Sequence, residues 1–410
     1  MNKKQLNQIF VDTDFVHWSG SDEELQVAEY LKKKCGELGV EAEIEAFDVP
    51  VAEIEEAHLY ADGVEIPCKA FFCCGSGEVE AELYYMPGTD AVSIAGAKDK
   101  IVLLDTGGVS HFVYQDLMKA GAKGILFQYG NAHYDNKDID ERDLRASVVG
   151  DAEKVLCATI NVRDAVKMVS KGTKKVKLTV KQNEEVGHSH NVVATIPGIR
   201  DEYIVLSAHY DTTRLSHGAY DNMTGCVGLL GVMEAVKAKQ HNYGFKFVFC
   251  GSEERGLLGS KAYVAAHEEE LEKYVLNINL DMIGTIMGKF IARVTAEERL
   301  ASYISYMAAE VGFPVAAKTG VYSSDSTSFA DKGVPSLSFA RLAGGAVAPI
   351  HCRYDLKDVL SMKQLSDDID FIVAFTKRMA DAAVCPVERE IPDKIKTEID
   401  EYLARKRKKN

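Results

Sequence analysis

The chain has 410 residues, of which 46% are hydrophobic and 27% charged, and carries a formal net charge of −14. That length holds two domains, or one large domain with an insertion, and the composition is that of an ordinary globular protein. The negative charge argues against a nucleic-acid partner and favours cationic ligands such as peptides with a free amine, while no apolar run approaches the roughly 18 residues of a membrane span.

The N-terminal stretch MNKKQLNQIFVDTDF lacks an apolar core of signal-peptide length. The nine cysteines show no paired spacing and read as free thiols in a reducing, cytoplasmic setting, the adjacent Cys73 and Cys74 included. Residues 21–39 predict an amphipathic helix: Ser21 and Glu24 form a capping box, and Leu25, Ala28, Leu31, Cys35 and Leu38 recur at helical spacing. The alternation in VEAEIEAFDV then predicts a half-buried strand. From about 46 to 186 the texture changes to short strands (ELYYMPG, KIVLLDTGG, KGILFQYG, LCATINV, KVKLTVK) with helices at HFVYQDLMKAGA and RDAVKMVSKG. His133, Asp135, Asp138 and Asp140 read as a solvated acidic loop, and His188 and His190 as strand residues with no carboxylate close behind.

Beyond residue 191 strands and helices alternate. Four apolar runs, Tyr203–Ala208, Phe245–Cys250, Val275–Leu280 and Pro335–Ala340, each hand over a metal-type ligand at the same end. In order these are His209 with Asp211 and Asp221, Glu253 with Glu254, Asp281, and His351. Ligands gather beyond the carboxyl ends of strands in open α/β sheets, so four such endings predict one site. Helices are expected at Met223–Lys239, Ser260–Tyr274 and Ser361–Val384, and the basic ARKRKKN end as a solvated tail.

His209, Asp221, Glu254, Asp281 and His351 form a donor set suited to zinc, cobalt or manganese. Five donors exceed what one catalytic zinc with an open position uses. If Asp221 bridges, two metals receive three protein ligands each and keep room for a shared water. Asp211, two residues after His209, suits a carboxylate that orients the imidazole. Glu253, beside a ligand but unable to share its metal easily, suits a general base.

The motifs HYDT, GAYDNMTG, CGSEERGLLGS, NLDMIG and the late IH resemble, in order, those of the zinc-dependent aminopeptidases related to bacterial leucyl-type enzymes and aminopeptidase Y. The resemblance implies an α/β, three-layer zinc-peptidase fold with a mixed, mainly parallel central sheet, formed by 1–45 and 187–390. Residues 46–186 are similar to an inserted α+β or β-rich protease-associated domain, leaving 391–410 as the tail. It further implies two zinc ions per chain, one on His209 and Asp281, the other on Glu254 and His351, with Asp221 between them and Glu253 as proton shuttle. The expected function is hydrolysis of the N-terminal residue from peptides with a free amino terminus, without nucleic-acid or membrane partners and with the oligomeric state open.

The sequence departs from the family at two places. The tyrosine that often precedes the last histidine, and stabilises the oxyanion, is Ile350 here, with Tyr354 a candidate replacement. The family's Ser-Asp-His segment is Ser324-Asp325-Ser326. The rival readings are a carboxypeptidase or dipeptidase using Arg214, Arg255, Arg293 or Arg341 to hold a carboxylate, a glutaminyl cyclase-like transferase, and a binding protein that has lost catalysis.

Overall fold

The computed structural model describes residues 3–408. The chain forms two compact units, one of residues up to Val49 and from His188 onward, the other Pro50–Gly187.

In the first unit the central strands are the apolar runs. Ser336–Leu342, Tyr274–Leu280, Tyr203–His209 and Gly244–Cys250 lie side by side and parallel. Lys289–Thr295 runs antiparallel to Ser336–Leu342 at one side and pairs with Ala316–Thr319, and residues 192–196 run antiparallel to Gly244–Cys250 at the other. The sheet is mixed and mainly parallel, as expected. Strands buried on both faces need apolar residues at odd and even positions alike. Ile204, Leu206 and Ala208 face one layer with Leu229, Ile304 and Phe375 from the helices Thr224–Val236, Glu298–Val311 and Met362–Asp381. Val205 and Val248 face the other, with Tyr263 of Leu258–Ala266 and Phe329 of Ser326–Asp331.

The helix predicted over residues 21–39 runs Asp22–Glu37, and Ser21 Oγ accepts the Glu24 N–H as a cap should. Two expectations are corrected. The helix predicted over Ser260–Tyr274 is divided: an α-helix covers Leu258–Ala266, a 3-10 helix covers Glu268–Lys273, and Tyr274 already pairs with Tyr203 as the first residue of its strand. Residues 391–410, set apart as a C-terminal tail, hold a helix, Asp393–Tyr402, whose Ile395 and Ile399 are buried against Ala330. Those isoleucines stand four apart on one helical face, a signal masked by the charges around them.

The second unit is built on four parallel strands, Gly77–Met86, Lys100–Leu104, Gly124–Tyr129 and Leu156–Asn161. Helices His111–Ala120 and Val162–Ser170 stand where the sequence placed them.

Candidate metal centre

The parallel register aligns the carboxyl ends of the central strands: His209 lies opposite Cys250, and Leu280 opposite Phe339. The residues after these positions therefore emerge at one edge. His209 Nε2 stands 3.2 Å from Asp221 Oδ1 and 3.8 Å from Asp281 Oδ1. His351 Nε2 stands 3.1 Å from Asp221 Oδ2 and 3.0 Å from Glu254 Oε1. The two oxygens of Asp221 thus face two different imidazoles. The donor atoms of His209, Asp221 and Asp281 lie within 4.8 Å of one another, as do those of Asp221, Glu254 and His351. Among the described residues these are the only such groups of three.

Electrostatics mark the same place. Burial opposes charge on His209, but Glu253, Asp211, Asp221 and Asp281 outweigh it and hold its pKa well above the usual imidazole value. His351 is raised in the same way, burial being overcome by Glu254 and Asp221. Burial, reinforced by Glu254, Asp325 and Asp281 and opposed by His209, holds the Glu253 carboxyl well above its usual range. Asp281 Oδ1 is buried without a hydrogen-bond partner. A buried, crowded set of acids with an orphaned oxygen is an arrangement that cations stabilise.

Asp211 is fully buried behind His209, its Oδ1 3.5 Å from Nδ1. It also accepts the backbone N–H groups of Glu253 at 2.8 Å and Glu254 at 3.1 Å, one on each oxygen. One carboxylate therefore orients an imidazole and fixes the turn that carries two further acids.

Three supporting residues went unassigned in the sequence. Asn222 brackets Asp281: its Nδ2 donates to Leu280 O at 2.9 Å and its Oδ1 accepts the Met282 N–H at 3.0 Å. Gly225 makes this approach possible, since a Cβ there would lie 2.3 Å from Leu280 O. Asp355 accepts the N–H groups of Tyr220 and Asp221 and the Ser216 hydroxyl, tying the His351 loop to the Asp221 turn. Burial and the neighbouring Asp221 push it up to about 7. The third is Glu24, legible only as a capping residue. It accepts the Gly20 N–H on one oxygen, and the Ser189 hydroxyl and the Ser252 N–H on the other. Ser252, Met282 and His351 all adopt positive φ, and each flanks or is a site residue. Such backbone costs on the order of 1–3 kcal/mol per residue and persists where surrounding structure over-determines it.

Burial, with the charge of Asp211, raises Glu24 from an ordinary 4.5 to about 8. A carboxyl with a raised folded-state pKa binds its proton more tightly in the folded chain, so its contribution is full below the ordinary value and is lost as pH rises through about 8. Denaturant titration of the chelator-treated protein should show this decline between about pH 4.5 and 8, and Glu24→Gln should flatten it.

The arginines proposed to hold a substrate carboxylate are placed as follows. Arg341 is locked to buried Asp368 at 2.6 Å, Arg293 bonds Thr319 O, and Arg214 stacks over Trp18 at 3.4 Å. Arg255 is buried beside Glu254. Tyr354 is 43% exposed.

A three-layer α/β unit that gathers two imidazoles and three carboxylates at its strand ends has the build of a metallopeptidase domain. Residues 191–376, which contain all of these side chains, match Peptidase family M28. The chain is 26% identical to aminopeptidase YwaD of Bacillus subtilis over 78% of its own length and 71% of the relative's. It is 30% identical to leucine aminopeptidase 2 of Trichophyton equinum over 56% of its length, spanning 47% of that protein. Its fold is that of a zinc aminopeptidase from Bacillus subtilis (TM-score 0.77, 21% identity, 95% of this chain and 98% of the other). An aminopeptidase from Aneurinibacillus sp. strain AM-1 superposes similarly (TM-score 0.73, 23% identity, 94% and 96%). No helix among the described residues is long and apolar enough to cross a membrane.

Proposed function

We propose that the chain is a metallo-aminopeptidase that removes the N-terminal residue from peptides with a free amino terminus. The observation that carries this reading is Asp221, one oxygen toward His209 and the other toward His351, each imidazole backed by a second acid. His209 and Asp281 would hold one zinc and Glu254 and His351 the other, with Asp221 available to both; the donor chemistry would also accept cobalt or manganese. When bound, the pair supplies Lewis acidity and a water acidic enough to ionise near neutral pH.

The protein's own residues do the rest. Glu253 takes the proton of the attacking water and passes it to the leaving amine, a task suited to a carboxyl held above its ordinary pKa. Asp211 keeps that carboxyl and Glu254 on one rigid turn. Engagement of Arg341 by Asp368 removes one anchor that a carboxypeptidase would use. The acidic surroundings and the net charge of −14 suit a substrate that presents an ammonium group. We read 46–186 as a protease-associated insertion in a peptidase domain of 1–45 and 187–390, and the nine free thiols as those of a reducing, cytoplasmic compartment.

Chelator-stripped protein should be inactive, and zinc should restore release of the first residue from unblocked peptides, read by amino-acid analysis. N-acetylated peptides should stay intact. Activity that survives chelation, or cleavage of acetylated peptides from their C-termini, would overturn the reading.

A further inference from the structure

Glu24 stands at the third position of the helix Asp22–Glu37, where a glutamate ordinarily reaches back to cap its own helix. Here the side chain is fully buried and reaches further. Oε2 accepts the Gly20 N–H at 2.6 Å, while Oε1 accepts the Ser189 hydroxyl at 2.8 Å and the Ser252 N–H at 3.1 Å. Ser19, two residues before the Ser21 cap, brings its Oγ to 2.5 Å from Ser252 Oγ. Two residues of the N-terminal segment thus grip one serine, and that serine directly precedes Glu253.

The whole turn is held by side chains. The N–H groups of Gly251, Ser252, Glu253 and Glu254 go in order to Asn191 Oδ1 at 3.2 Å, Glu24 Oε1 at 3.1 Å, Asp211 Oδ1 at 2.8 Å and Asp211 Oδ2 at 3.1 Å. Ser252 is fully buried with φ +55°, a conformation that persists where its surroundings over-determine it. Gly251 lets those surroundings close in, since a Cβ there would lie 2.8 Å from Glu24 Oε1 and 2.6 Å from Ser189 Oγ. A helix cap gains nothing from burying its carboxyl, which costs free energy wherever it leaves water. The turn does gain: Asp211 fixes the N–H groups of the two acids, and Glu24 fixes the strained residue through which the chain reaches them.

We propose that Glu24 is a positioning residue of this chain: through the Ser252 N–H it holds the turn at the angle that aims the Glu253 carboxyl at the attacking water, touching neither substrate nor metal itself. This rests on the aminopeptidase reading above, with Glu253 as the base. It makes the helix Asp22–Glu37 part of the catalytic apparatus, although that helix supplies no group to the reaction.

Glu24→Met keeps the length of the side chain and removes both acceptors. On the zinc-loaded protein, kcat for leucyl-p-nitroanilide should fall by about 10- to 100-fold, the scale of an ångström's misplacement, with KM and zinc content near the parent values. A cycle with Glu253→Gln separates aim from architecture. In a chain that already lacks the base, Glu24→Met should lower kcat by less than about threefold, because no carboxylate remains for the turn to aim. Equal falls with and without the Glu253 carboxyl would overturn the assignment, since Glu24 would then serve the fold at large. A Glu24→Met kcat within about threefold of the parent would also overturn it. So would loss of zinc from that variant, which would make Glu254 the group being served. Should Glu24→Met not fold, Ser19→Ala removes the other grip on Ser252 and carries the same cycle, with an expected fall of about three- to tenfold that vanishes in the Glu253→Gln chain. Parental activity in Ser19→Ala, or a fall that persists without the base, would then overturn the proposal. If the parent protein releases no residue from any unblocked peptide, the aminopeptidase reading itself fails, a result distinct from an active parent with an equally active variant.

Discussion

Replacing Glu253 by Gln should lower kcat on an unblocked dipeptide by about 10²–10⁴-fold while leaving bound zinc and KM near the parent values. The amide keeps the size of the carboxyl and its backbone N–H still reaches Asp211 Oδ1 at 2.8 Å, so the turn should hold its shape. What is lost is the proton acceptor. The neighbouring Glu254 cannot take over, because it faces His351 at 3.0 Å and belongs to the donor set. Steady-state kinetics with metal analysis on the same preparation checks this. A variant that loses zinc along with activity would move Glu253 into the ligand set, and one that keeps full activity would remove it from the mechanism.

The second large effect lies away from the reacting atoms. Arg341 and Asp368 form a buried pair, with Nε and the terminal nitrogen both on the carboxylate and the guanidinium over the Phe290 ring. Asp368 Oδ2 also accepts the Gly284 N–H, and the Arg341 N–H donates to Met282 O, so the pair braces the turn that follows Asp281. Removing one partner from such a pair costs about 3–5 kcal/mol because a buried charge is stranded, and Asp368→Ala should lose that much in denaturant melts near pH 7. Arg341→Met should cost less at low pH. Burial already raises the Asp368 carboxyl, and without its arginine it can take up a proton in the folded chain, so the deficit should grow as pH rises through its folded-state pKa. Equal losses for both variants at all pH values would contradict this account.

The catalytic half of the fold was legible because its strands are buried on both faces and end abruptly in ligand-type residues, a pattern with few structural explanations. His209, Asp221, Glu254, Asp281 and His351 are spread over more than a hundred residues, yet the strand ends give each a place, and the structure brings all five together. What the sequence hid are contacts made by backbone groups. Asp211 was expected to orient an imidazole; that it also accepts two backbone N–H groups depends on the course of the turn at Ser252, where φ is +55°. Asn222 stands directly before the helix predicted from Met223 and Glu24 is the second half of a capping box, so local spacing accounts for both. Their distant partners appear only once the sheet register is known. The C-terminal helix was obscured for another reason: two isoleucines among acids and lysines are a weak apolar face until Ala330 is seen beneath them.

The bond from Ser252 to Glu24 spans 228 positions of sequence, and the Asp355 contacts to Tyr220 and Asp221 span 135 and 134. During synthesis the contiguous Pro50–Gly187 unit can fold as soon as it emerges, while the helix Asp22–Glu37 waits for partners not yet made. Contacts this remote in sequence close late and slowly. Competence to bind metal therefore arrives only when translation has passed His351 and Asp355, so a nascent or truncated chain carries a folded domain but no working hydrolytic centre.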